Sequence, residues 1–247
     1  MCDSPACQHA RPTSRRLFLR SSAALGLTLA ASSALPGFLP AARAAALPKP
    51  GNAISPDQAL QRLMEGNHRY VSGVARRHDF VHERQALAGG QNPYAAILGC
   101  ADSRVAPEYA FDSGRGDLFV ARVAGNFVND DMLGTLEYAV AVLAVPAILV
   151  LGHDKCGAVD AAVKAVTRGE QYPGHISSLV AAISPAVRSL APRPDGLLEA
   201  AIEGNVRQGM ADLAGRSAII AQAQAAGSLK IAGGIYRLSS GKVDFLA

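Results

Sequence analysis

The sequence predicts an α/β fold: a mostly parallel central sheet of four strands plus an antiparallel edge strand, with helices on both faces. Two observations carry this. Short apolar runs over Ala95–Gly99, Asp117–Val123, Pro146–Gly152 and Leu229–Tyr236 have the length of buried strands, and amphipathic helical segments separate them. That alternation is the pattern of parallel strands joined through helices. The last run is followed by Ser239-Ser240-Gly241 and a further short stretch, Lys242–Leu246, a hairpin that places an antiparallel strand at one end of the sheet.

Taken in order, Ser55-Pro56-Asp57 opens the first helix, with Ser as N-cap, Pro at the first position and an acid in the first turn. Ala59, Leu60, Leu63, Met64 and Tyr70 keep helical spacing up to Gly73. Arg76 to Asp79 is charged and reads as a loop, and Glu83 to Ala88 as a second helix ended by Gly89-Gly90. The first two strands follow. Met132–Leu143 is a helix with Leu133, Leu136, Ala139 and Val140 on one face, and the third strand comes after it. Gly157–Arg168 is a helix stopped by Gly169. Ile176–Leu190 and Leu197–Gln224 are Ala-rich and amphipathic, with a break near Pro192–Gly196. The fourth strand and the hairpin complete the chain.

The chain has 247 residues, 49% of them apolar, enough for one domain of about 200 residues behind a removable leader. Ser14-Arg15-Arg16-Leu17-Phe18-Leu19-Arg20, a weakly apolar stretch over Ser21–Leu35 and Ala42-Arg43-Ala44 form a basic region, a short apolar region and a small-x-small cleavage site in that order. The arginine pair followed by Phe-Leu resembles a twin-arginine signal, which implies the twin-arginine export machinery and a periplasmic location. The expected organisation is therefore a signal peptide over residues 1–44, a linker over 45–54 and a single domain over 55–247.

Without the leader, Arg11, Arg15, Arg16, Arg20, Arg43 and Asp3 are gone, leaving 19 of the 24 basic and 19 of the 20 acidic residues. The basic balance belongs to the leader, and no Lys/Arg cluster after Ala44 points to a nucleic acid. Cys2 and Cys7 leave as well, so the mature chain keeps Cys100 and Cys156. In an oxidising compartment a lone pair suggests a disulfide. Asp102 at +2 of one cysteine and His153 at −3 of the other point instead to a metal, because a structural disulfide has no use for either.

Cys100-Ala101-Asp102-Ser103-Arg104 follows the first strand, and His153-Asp154-Lys155-Cys156 the third. Ligands in open α/β sheets bind outside the carboxyl ends of strands. Two thiolates, an imidazole and a carboxylate suit Zn2+. Four simultaneous ligands would make a closed, structural site, whereas a catalytic zinc keeps one position for water. Asp102, the hardest and weakest ligand of the four, is the candidate to leave. Arg104, on the same side if the segment stays extended, has a planar fork that can hold the freed carboxylate. An open zinc lowers the pKa of its water toward neutrality for attack on small electrophilic carbons. Thiolate ligands donate more charge than imidazoles, which places best turnover on the alkaline side.

Cys100-Ala101-Asp102-Ser103-Arg104-Val105 together with Gly152-His153-x-x-Cys156-Gly157-Ala158 resembles the β-class carbonic anhydrase signature. Gly134-Thr135-Leu136-Glu137-Tyr138-Ala139, Gly233-Gly234-Ile235-Tyr236 and Gly241-Lys242-Val243 resemble further segments of that family, so the likeness spans about three-quarters of the chain, from the Ser55 helix onward. The resemblance implies zinc-dependent interconversion of carbon dioxide and bicarbonate. It implies metal ligands Cys100, His153 and Cys156, a catalytic Asp102–Arg104 dyad and a bicarbonate contact from Gln91. It also implies a homodimer or higher homo-oligomer, with amino-terminal helices wrapped around the neighbour. Val123 stands where the family usually has Asn, and the chain has no Trp, so the Trp-containing inhibitory bicarbonate pocket of some members is not expected. Two alternatives share the fold: a hydrolase of a related linear substrate such as carbon disulfide, and a non-catalytic structural zinc protein. Intact Arg104 and Gln91 speak against the latter. His68, His78, His82 and His175 read as surface or packing residues, Asp154 and Lys155 as a solvated turn, Gly125-Asn126 as a tight turn near the site, and Glu137 and Tyr138 as packing or interface residues.

Overall fold

The computed structural model describes residues 48–190 and 195–246. The leader expected over residues 1–44, with its arginine pair and expected cleavage site, lies outside the described residues, as does most of the break before Gly196. Among the described residues no helix is long and apolar enough to cross a membrane.

Five strands form one sheet: β1 (Ala95–Gly99), β2 (Leu118–Arg122), β3 (Ala147–His153), β4 (Lys230–Tyr236) and β5 (Val243–Leu246), in the order β2-β1-β3-β4-β5. The first four are parallel and β5 runs antiparallel at the edge, as the hairpin predicts. Side chains alternate across the sheet. Ala95 and Ile97 of β1 and Leu149 and Leu151 of β3 pack with Ala59 and Leu63 of α1 (Pro56–Val71). Ala96, Leu98, Ile148 and Val150 face the opposite way, against α4 (Asp130–Ala141), α7 (Leu197–Arg216) and α8 (Ala218–Ala225). Every residue of β1 and β3 is buried, the pattern of central strands covered on both faces.

Helix α1 carries a full capping box: the Gln58 N–H donates to Ser55 Oγ and the Ser55 N–H to Gln58 Oε1. Its buried Asn67 donates to the carbonyls of Ala110 and Gly241 and accepts from the Val243 N–H, tying the helix to the final hairpin. Gly66 lets α1 approach closely, since a Cβ there would lie 2.0 Å from the Phe111 carbonyl oxygen. Between β3 and α7 lie α5 (Gly157–Arg168), ended by Gly169 at φ 70° as its sequence predicts, and α6 (Ile176–Arg188).

Four features depart from the sequence reading. Helix α2 (Phe80–Leu87) starts three residues early, because Asp79 caps it through bonds from the Val81 and His82 N–H groups. A one-turn helix, α3 (Pro107–Ala110), is too short to show periodicity. The long carboxyl-terminal helix is broken at Ser217, whose hydroxyl accepts from the Ile220 N–H and donates to Glu137. Within the segment expected to be a linker, Pro50–Asn52 forms a 3-10 turn docked on the domain: Asn52 is buried and donates to Asn92 O and Asp117, and Lys49 pairs with Asp117 at 2.7 Å.

Candidate metal centre

Three elements deliver the site. Cys100 follows β1, His153 ends β3 and Cys156 caps the N-terminus of α5. The parallel pairing of β1 with β3 brings two segments more than fifty positions apart to one sheet edge. There the thiols of Cys100 and Cys156 and a ring nitrogen of His153 all lie within 4.8 Å of one another. All three residues are buried, His153 completely. The two sulfurs stand 3.9 Å apart and both cysteines are free, so the disulfide alternative does not describe this structure.

The imidazole is oriented from behind. His153 Nδ1 lies 2.8 Å from the carbonyl of Asp154, which can only accept, so Nδ1 carries the proton and Nε2 presents a lone pair. Among the described residues, Nε2 is buried without a hydrogen-bond partner. A buried acceptor beside two thiols is an arrangement that a bound cation would satisfy.

The thiols are prepared for ionisation. The Gly125 N–H points at Cys100 Sγ from 3.3 Å. Gly125 is required there: φ is 87°, and a Cβ would lie 2.4 Å from Ile183 Cδ1. Asn205 of α7 fixes the same turn by donating to the Gly125 carbonyl at 2.7 Å. Cys156 sits at the N-cap of α5, where the helix dipole favours negative charge, without a cap bond to its sulfur. Of the pair, Cys100 is the readier thiolate, because the Cys156 S–H donates to it and outweighs the cost of burial. The Cys156 proton is held correspondingly tighter by that anion. Burial alone would disfavour a charged His153, but the neighbouring Cys100 sulfur outweighs it and raises its affinity for a proton. A divalent cation would replace those protons, so the donor set and its geometry fit a soft-to-borderline metal such as zinc.

Asp102 stands outside this trio. Arg104 grips it with Nε to Oδ1 at 2.9 Å and Nη2 to Oδ2 at 2.7 Å, and the Arg104 N–H adds a third bond to Oδ1 at 2.9 Å. The Arg104 guanidinium thereby holds the Asp102 carboxyl well below the usual carboxylate range. The segment is not extended, as the sequence reading supposed. Asp102 O accepts from the Val105 N–H at 3.0 Å, so a tight turn brings the two side chains together. Oδ2 stays 3.8 Å from His153 Nε2, the one member of the dyad that borders the trio.

Gln91 sits exposed between α2 and β1, with no hydrogen bond to the trio. Asp154 does more than a solvated turn requires, because its Oδ1 accepts from the Leu238 N–H and its own N–H donates to Tyr236 O. His78 and His82 pair with Glu83 and Asp79, away from the site. Val123 packs against the apolar cluster that includes Cys100 and Cys156, while its backbone bonds to Gly99 and Ala101. Sequence reasoning missed the Gly125 donor and the grip of Arg122 on the Cys100 loop. The arginine gives no local signal, whereas a Gly-Asn turn after a strand marks a backbone N–H free to point at a ligand.

A mostly parallel sheet that presents two cysteines, a histidine and an arginine-held aspartate at its carboxyl edge defines an α/β protein with a thiolate-rich metal-site candidate. Comparison with known proteins makes this specific. The family model described as carbonic anhydrase matches residues 95–243. A carbonic anhydrase of Mycobacterium tuberculosis is 44% identical over 191 residues, covering 76% of this chain and 91% of that one. One of Mycolicibacterium smegmatis is 42% identical, covering 77% and 93%. Among solved structures, the β-carbonic anhydrase CcaA superposes with a TM-score of 0.60 at 28% identity over 77% of this chain and 92% of that one. A Coccomyxa β-carbonic anhydrase in complex with acetazolamide gives 0.57 at 27%, covering 77% and 82%. The chain belongs to the β-carbonic anhydrase family, and its reaction is the hydration of carbon dioxide.

Proposed function

We propose that Cys100, His153 and Cys156 hold zinc, with Asp102 as a displaceable fourth ligand, and that the site interconverts carbon dioxide with bicarbonate and a proton. The observation that carries this is the unpartnered His153 Nε2 facing two free thiols, with Asp102 drawn aside by Arg104. A closed structural zinc would call on that carboxylate, and here it is engaged elsewhere. Bound zinc supplies a Lewis acid that makes water nucleophilic near neutral pH.

The remaining work falls to the chain. Asp102, kept ionised by Arg104, accepts a hydrogen bond from the attacking water and aims its lone pair at the carbon. Arg104, exposed at the rim, keeps the carboxylate from reaching the ligand trio. Gln91 donates a hydrogen bond to bicarbonate. The surrounding apolar residues Phe127, Val159 and Ile183 suit a small nonpolar substrate.

The active form is a homo-oligomer. In support, Tyr109 and Phe80 are 74% and 63% exposed beside Tyr70 at an apolar cavity of about 750 Å³, a surface that association would cover. The precursor is a substrate of the twin-arginine pathway and the mature protein works in the periplasm, a reading supported by Ser14–Arg20 and Ala42-Arg43-Ala44.

Stopped-flow hydration of carbon dioxide by the protein beginning after Ala44, with metal analysis, tests the catalytic reading. Rapid turnover with stoichiometric zinc is expected, and a zinc-free protein with full activity would refute it.

A further inference from the structure

The register of β1 and β2 sets Arg122 beside Gly99, one residue before Cys100. From there its guanidinium donates to three backbone carbonyls of the loop that leaves β1. Nε reaches Cys100 O at 2.8 Å, and Nη2 reaches Asp102 O at 2.7 Å and Val105 O at 2.8 Å. These acceptors belong to the first thiol ligand, to the displaceable carboxylate residue and to the residue just past Arg104. Among the described residues no carboxylate lies within ion-pairing distance of Arg122. Its hydrogen-bonding capacity is thus directed at this one loop. A planar fork can serve three convergent carbonyls at once, which an ammonium cannot do in the same geometry.

The two ends of the turn that Arg122 spans are buried, Cys100 beside the Gly125 N–H and Val105 in the core, while Asp102 and Arg104 between them are not. Val105 N–H closes it onto Asp102 O, and Ala101 N–H reaches Val123 O. Both Asp102 and Arg104 belong to this turn, and the bidentate geometry between them depends on where their backbones stand. Displacing the Asp102 backbone by about 1 Å relative to that of Arg104 would break paired bonds of 2.7 and 2.9 Å.

We propose that Arg122 is a positioning residue for the reaction. It pins the backbone from Cys100 to Val105, so that Asp102 rests on Arg104 and can change partner only by rotating its side chain. This rests on the zinc and displaceable-carboxylate reading above. Loss of the clamp lets the loop sag toward the trio and favours the four-ligand state.

The test compares Arg122→Ala, Arg122→Lys, Arg104→Ala and the wild type, each as the full folded chain after Ala44. In the metal-free proteins, amide hydrogen exchange should speed up in Arg122→Ala over residues 100–105 and not in the strands. With zinc restored, Arg122→Ala should keep wild-type metal content while turnover falls about 10- to 100-fold, the usual cost of removing a group that orients metal ligands. With cobalt(II) in place of zinc, its visible spectrum should move toward that of Arg104→Ala. Added guanidinium should restore part of the lost turnover. Unchanged loop exchange, or wild-type turnover with an unshifted spectrum, would overturn the proposal. So would a loss of metal that accounts for the whole loss of activity. Should Arg122→Ala not fold, Arg122→Lys is judged by the same measurements. A wild type without stoichiometric zinc would refute the underlying reading instead. A zinc-loaded wild type with the expected Arg104→Ala behaviour, beside a normal Arg122→Ala, would refute the clamp alone.

Discussion

Arg104 and Asp102 are joined by a bidentate ion pair, 2.9 Å from Nε to Oδ1 and 2.7 Å from Nη2 to Oδ2, while the same Oδ2 lies 3.8 Å from His153 Nε2. One carboxylate thus has two destinations within a short side-chain rotation: the guanidinium it now holds, and the edge of the ligand trio. The fork favours the first through two aligned, charge-assisted bonds.

Arg104→Ala should therefore retain zinc and lose turnover, by at least about 100-fold if the interaction contributes ~3 kcal/mol. Asp102→Ala should also retain zinc, and an added small base such as imidazole should recover part of its activity. Metal content, turnover between pH 6 and 9 and a crystal structure of the zinc shell separate the two variants. Near-wild-type turnover by Arg104→Ala across that range would end the displaceable-carboxylate account.

Cys156→Ser should lose most of the bound metal and nearly all activity, because a serine oxygen is a poor replacement for thiolate at a site shaped for sulfur. In the wild type, chelation should make both thiols titratable, since the two sulfurs, 3.9 Å apart, share a hydrogen bond and not a disulfide. Full zinc occupancy in the variant, or a Cys100–Cys156 disulfide in the zinc-loaded wild type, would contradict the ligand assignment.

Asp117 anchors the segment that precedes the first α-helix. It is 9% exposed and meets Lys49 at 2.7 Å, Asn52 at 3.0 Å, Arg62 at 3.5 Å and the Gly114 N–H at 2.9 Å. Burial pushes its pKa up, but the bonds from Lys49 and Asn52 and the Lys49 charge outweigh that and leave it lowered. A lowered folded pKa means stability that is fully present above the unfolded value of about 3.9 and lost as pH falls through the folded one. Asp117→Asn should cost about 1–3 kcal/mol near neutrality. In denaturant melts from pH 7 to 3, the gap between variant and wild type should narrow below about pH 4. A gap independent of pH would show that charge is not the cause.

Replacing Arg15 and Arg16 by Lys should strand the precursor in the cytoplasm, because twin-arginine export reads that pair. Cell fractionation and amino-terminal sequencing report both location and the cut near Ala44. Unchanged periplasmic yield of the lysine variant would show that another route is used.

Much of the fold was legible because its signals are local. Ser55-Pro56 marks a helix start, Gly169 a helix end, and the all-apolar runs ending at Gly99 and Gly152 mark central strands, each within a few residues. The three side chains that the structure brings within 4.8 Å of one another were legible for the same reason, as two short clusters each following a strand. What escaped was either too short for periodicity, as in Pro107–Ala110, or dependent on a distant partner, as at Ser217, whose hydroxyl reaches Glu137 eighty positions away.

By itself the sequence determined the strands, most of the helices, the parallel sheet with its antiparallel edge, and the candidate metal-binding side chains with Asp102 and Arg104 beside them. Tertiary structure alone decided which of two partners Asp102 takes, that a turn rather than an extended segment pairs it with Arg104, and that the Gly125 N–H and the Arg122 fork serve the Cys100 loop. It also decided that Lys49 and Asn52, within the segment expected to be a linker, dock on Asp117. The physical reason is range. Backbone propensity and apolar period act over a few neighbours, whereas register between β1 and β2 sets which side chain from one strand meets which carbonyl of the next, and the unpaired chain holds no record of that meeting.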